Sequence, residues 1–158
     1  MAHIMEYVEM NSIDLFVKNW SSKNVMVPLN PNDITELEEK LAVVLPESYK
    51  YLLTTYGLVH TPNVLTKICD LNVEITEVQD FLSLEDVYSL SNLYEMSGMP
   101  KGHILFASDC KGNMFCFKKS DCNHKQMDVA VWFYEHDTCS MHKVSNTFIE
   151  WLEGFNAL

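Results

Sequence analysis

The chain reads as an α+β fold, an antiparallel or mixed sheet flanked by N-terminal helices and a C-terminal helix. Three observations predict it. Apolar residues recur at helical spacing through much of the first 57 positions, His103 to Tyr134 is rich in β-branched and aromatic residues around a glycine turn, and a last amphipathic segment follows Ser145. At 158 residues, 47% of them hydrophobic, residues 1–158 suit one domain with its own core.

Ile13, Phe16, Val17 and Trp20 share one helical face behind Ser12, which predicts a first helix from near Ser12 to Trp20. Val27-Pro28-Leu29-Asn30-Pro31-Asn32 breaks the periodicity and reads as a connector. In the next helix Ile34, Leu37 and Leu41 form the apolar stripe, and Glu36, Glu38, Glu39 and Lys40 are expected to face water. Its start is set either by Asp33 with Glu36 as a capping box or by Asn30 with Pro31 in the first turn.

Pro46 suits the first turn of a third helix because no N–H is needed there. Tyr49, Leu52, Leu53 and Tyr56 then fall at i, i+3, i+4 and i+7, and Gly57 suits the left-handed residue that ends it. Leu58 to Asn72 reads as a loop with one short strand at most, turning at Thr61-Pro62-Asn63. Val73, Ile75 and Val78 predict a strand bulged at Glu77. Ser83 with Asp86 resembles a capping box for a helix carrying Val87, Leu90 and Tyr94, ended by Gly98 and Pro100.

Strands are expected at His103 to Ala107, Asn113 to Lys118 and Val129 to Tyr134, the first two joined by the turn Lys111-Gly112-Asn113. The last is apolar without alternation, as a central strand covered on both faces would be. Ser145 is placed to cap a closing helix whose buried face is Phe148, Ile149, Leu152 and Phe155.

Charge narrows the function. The chain has 22 acidic residues against 11 basic ones, and all 11 are lysine. Without arginine's planar fork or a basic surface to release counterions, nucleic-acid binding is disfavoured. Between Ile68 and Pro100 stand Asp70, Glu74, Glu77, Asp80, Glu85, Asp86 and Glu95 with no lysine. Exposed, these acids would attract a cationic partner; they would equally suit a solvated surface that aids solubility. No apolar run approaches the roughly 20 residues of a membrane span. Met1 to Met10 carry Glu6 and Glu9 where a signal peptide would be basic then apolar, and Met1-Ala2-His3-Ile4 suits a start site and an expression remnant alike. Five cysteines in an irregular, odd set fit free thiols, so a cytoplasmic chain is expected.

Metal and catalytic chemistry find weak footing. Cys110, Cys116, Cys122, His124, His136, Cys139 and His142 supply enough ligands for zinc, yet no Cys-x-x-Cys occurs and Cys110, Cys116 and Cys122 stand six apart. Cys139, His136 and Asp137 offer a nucleophile, a base and an acid only as neighbours in sequence. No nucleophile elbow, phosphate loop, His-Glu-x-x-His or dinucleotide glycine pattern is present. The expectation is a non-catalytic chain without cofactor or metal.

Taken in order, Ile34-Glu36-Leu37-Glu38, Leu45-Pro46-Glu47-Ser48-Tyr49-Lys50, Phe81 to Val87, Ile104 to Asp109 with Gly112, Val131 to His136, and Ser145, Phe148 and Leu152 resemble the SMI1/KNR4 family of the SUKH superfamily. The resemblance runs from about Asn30 to Phe155. One departure is the single glycine in Tyr56-Gly57-Leu58, where family members often carry an asparagine and further glycines. The resemblance implies a protein-binding module, an immunity protein that neutralises a toxin, often a cationic nuclease; fungal cell-wall regulators of the same family make a regulatory scaffold the alternative. On that reading Glu74, Glu77, Asp80, Glu85 and Asp86 are the expected steering surface, with Asp109, Glu135 and Asp137 as a second patch. The partner is expected to be a basic toxin domain, with neither nucleic acid nor membrane involved.

Overall fold

The computed structural model describes the backbone of residues 2–22 and 26–158, and side chains from residue 11 onward within those ranges. The origin of Met1-Ala2-His3-Ile4 lies outside the described side chains. In chain order come α1 (Ala2–Trp20), α2 (Pro31–Leu41), α3 (Glu47–Thr55), α4 (Val64–Leu71), β1 (Asp80–Phe81), α5 (Leu84–Met96), β2 (His103–Ser108), β3 (Met114–Lys118), β4 (Val131–Glu135), β5 (Ser140–Ser145) and α6 (Phe148–Asn156). The strands form one antiparallel sheet in the order β1-β2-β3-β4-β5.

Aromatic packing defines the covered face. Phe106 and Phe117 stack at 4.1 Å between centroids, and Phe148 and Trp151 of α6 meet them edge-on. Tyr49 of α3 closes over the same pair, while Phe16 of α1 packs on Phe81 and Phe155. Offset and edge-to-face contacts of this kind add to the burial of large rings. Pleating therefore sends Met114 and Cys116 to the other side, with Trp132, Tyr134 and Met141. That side is the less covered one: Trp132 and Met141 stay half-buried, and the Lys118 ammonium sits 3.8 Å from the centre of the Trp132 ring.

Helix ends follow local chemistry. Asn30 caps α2 by accepting the Asn32 N–H at 2.9 Å, with Pro31 as the first helical residue. Ser83 caps α5 by accepting the Asp86 N–H at 3.2 Å. Gly57 has φ of +114°, and a Cβ there would collide with the Val27 carbonyl, so the end of α3 admits only glycine comfortably. Pro46 lies one residue before α3, its carbonyl accepting the Lys50 N–H.

Several expectations are corrected. α1 starts well before Ser12, whose hydroxyl donates to Glu153 of α6 at 3.1 Å. Residues 64–71, expected as loop, form α4, with Val64 and Ile68 buried one turn apart and Asn72 ending the helix at φ +52°. The strand expected over Val73 to Val78 is absent: Val73 and Ile75 are exposed, Val78 is buried, and pairing begins only at Asp80. β4 is second from the edge because β5, unforeseen, pairs outside it. Ser145 ends β5, and Thr147 caps α6 by accepting the Glu150 N–H at 3.0 Å. Glu38 turns inward from α2, accepting the Leu45 N–H at 2.7 Å and a Lys50 ion pair at 3.3 Å.

Candidate partner-binding surface

Each predicted acid has a definite place. Glu74 is exposed in the coil before β1, beside a groove shared with His142 and Glu150. Glu77 is 7% exposed, and its Oε1 accepts the Cys110 N–H at 3.3 Å. Its carboxylate, with lesser help from desolvation, holds the Cys110 thiol above the ordinary value. Asp80 is paired with His60 Nδ1 at the outer edge of β1. Glu85 and Asp86 are exposed in the first turn of α5, where negative charge complements the helix dipole.

The second patch is built differently. Asp109 is 7% exposed and organises the β2–β3 turn, its Oδ1 accepting the Lys111 and Asn113 N–H groups at 2.8 and 2.9 Å. Its Oδ2 accepts the Asn113 amide, whose oxygen in turn accepts the His136 N–H from the β4–β5 turn. The two turns are thus tied side by side. Glu135 is half-buried and accepts from Thr138, while Asp137 is open to water beside His136 Nδ1 at 3.3 Å.

Burial therefore removes Glu77 and Asp109 from any contact surface, a correction to the sequence expectation. Both accept backbone N–H groups of the β2–β3 turn, which a plain census of acids does not reveal. Glu74, Glu85, Asp86 and Asp137 stay open, and Asp80 keeps its charge partly balanced by His60 whenever that ring is protonated.

Sequence reasoning passed over Asp33 and Glu36 as a site. They project from α2 into a groove whose opposite wall carries Glu85 and Tyr88 of α5. The signal was available: both acids are off the stripe of Ile34, Leu37 and Leu41, and α5 has its own acids in its first turn. What the sequence lacked was the packing of α2 against α5.

Among the described residues, no three His, Cys, Asp or Glu side chains come close enough to hold a metal ion. Cys116 and Cys122 are buried, and burial pushes their thiols up, Cys122 to about 12, which suppresses the thiolate. No described helix is long and apolar enough to cross a membrane.

The SMI1/KNR4 family (SUKH-1) model matches residues 28–154, which takes in every element from α2 to most of α6. The chain belongs to the SMI1/KNR4 family. SMI1/KNR4 membership supports an immunity or regulatory role, exercised by binding partner proteins, in a family that is generally non-enzymatic. A comparison with curated proteins finds no match.

Proposed function

We propose that this chain is a non-catalytic immunity protein that neutralises a toxin by direct binding, the toxin domain being basic and in keeping with a cationic nuclease. The observation that carries the reading is the charge: −11 overall, with Glu74, Glu85, Asp86 and Asp137 open to water. Such a surface is complementary to a groove evolved to hold nucleic acid, and it would steer the encounter. The chain acts in the cytoplasm on this reading, as a single domain over residues 1–158.

A regulatory scaffold, as in cell-wall synthesis control, is the second reading; the half-buried Trp132 and Met141 on the less covered sheet face favour it as a place for uncharged partners. Affinity capture from native cells at low salt, followed by a graded salt wash, separates the two. A single basic polypeptide released at high salt, whose toxicity on expression is relieved by this chain, supports immunity. Several neutral or acidic partners that elute early support the scaffold.

A further inference from the structure

The groove between α2 and the start of α5 encloses about 560 Å³. Its floor is apolar: Leu37 is buried, whereas Leu29, Leu58 and Leu84 are only partly covered. Its rim is anionic, with Asp33 and Glu36 on one wall and Glu85 on the other. Among the described residues none of these three carboxylates has an ion-pair partner, although Glu38, Glu47, Asp80 and Asp137 all do. Tyr88, 39% exposed, presents its ring to the same space, and the Lys40 ammonium lies 5.7 Å from the ring centre. A cation over that ring is thus already accommodated by the geometry.

Three carboxylates with no ion-pair partner among the described residues, against one lysine on the groove wall, make the groove negative, and a cation with an apolar companion satisfies rim and floor together. We infer that this groove seats a cationic, apolar-anchored segment of the partner protein, lysine or arginine reaching Asp33, Glu36 and Glu85 while a leucine-like side chain covers Leu58 and Leu84. The inference rests on the reading that the partner is a basic protein. Free anions and acidic peptides are excluded as occupants by the same rim. Pairing with a second copy is disfavoured because the copy would bring the same acids.

The probe is a synthetic amphipathic peptide of lysines and leucines, with an all-lysine peptide of equal charge as control, followed by amide NMR shifts. The lysine-leucine peptide is expected to move the amides of Leu29, Leu58, Leu84 and Tyr88 and to bind more tightly than the control. Glu36→Lys with Glu85→Lys should weaken it about tenfold or more, as charge reversal at a contact does. Tyr88→Ala should weaken it too, while Asp121→Lys, at an exposed acid outside the candidate surface, leaves it unchanged; thermal melts establish that each variant is folded. Equal binding of both peptides, shifts spread evenly over Glu74 and Asp137, or no binding at all would overturn the inference. Neutralisation of a toxin at undiminished strength by the double reversal overturns the groove and leaves the immunity reading standing. Groove-confined peptide binding by a chain that neutralises no toxin supports the groove and sinks the immunity reading.

Discussion

Asp128 shows how one side chain joins two parts of the chain. Its Oδ1 accepts the Val129 and Phe148 N–H groups, both at 2.8 Å, and its Oδ2 accepts the Ile149 N–H at 3.1 Å. It therefore satisfies the first orphan donors of α6 from outside the helix. Asp128→Ala leaves three N–H groups without that acceptor and should cost about 2–3 kcal/mol, read as a lower urea midpoint at constant slope. Burial pushes the carboxyl above its ordinary 3.8, against the pull of the three N–H bonds. Between the unfolded and folded values the native state holds a proton the unfolded chain has released. The contribution of Asp128 thus falls as pH rises through that window, and Asp128→Asn should remove this part of the pH dependence. Tyr51 and Tyr56 offer a parallel case: both hydroxyls donate to Asp14, at 2.8 and 2.6 Å, tying α3 to α1. Tyr56→Phe should cost about 1 kcal/mol, the net worth of such a bond. Tyr51 stood off the apolar stripe in sequence, and its partner 37 positions away was illegible there.

Elements were legible where the period was long and the ends had chemistry. α2, α3 and α5 each carried an apolar face with a Pro, Ser or Gly at a boundary, α6 carried an apolar face whose cap fell two residues later than expected, and β2 to β4 were dense in aromatics around Gly112. The misses share a cause. α4 is eight residues long and its Val64 and Ile68 acquire meaning only against the core, while β5, Ser-Met-His-Lys-Val-Ser, is an edge strand held by its pairing with β4. A lysine on such an edge discourages pairing with another sheet. Two substitutions at helix ends test the backbone account. Ala42 ends α2 at φ +55°, so Ala42→Gly should raise stability by up to about 1 kcal/mol. Gly57→Ala should lower it by more than about 1 kcal/mol, because the left-handed strain and the Val27 carbonyl both oppose a Cβ. Urea unfolding of the two variants beside wild type reads both signs.

At the scale of the molecule, the core and the surface answer to different physics. The core buries ionisable groups in their neutral form: burial pushes Cys122 and Tyr134 to about 12 from ordinary values of 9.0 and 10.0, and raises Cys116 and Tyr49 as well. Folded values above unfolded ones mean stability that is full below about pH 8 and lost as the unfolded chain releases those protons. The urea midpoint should therefore fall steadily from about pH 8.5 to 10.5; a flat midpoint would contradict the buried neutral forms. The surface carries the negative charge, and only placement in three dimensions separated the open acids from Glu77 and Asp109, which the turns consume. Composition counted the acids, and only the fold sorted the exposed from the buried. The most direct measurement is the association rate of the captured basic partner with wild type and with a Glu74→Lys, Glu85→Lys, Asp86→Lys variant over a salt series. A wild-type rate that falls steeply with salt, and a variant rate that is slower at low salt and nearly salt-independent, is the predicted result. Equal rates with equal salt slopes would contradict an acidic surface that steers a cationic partner.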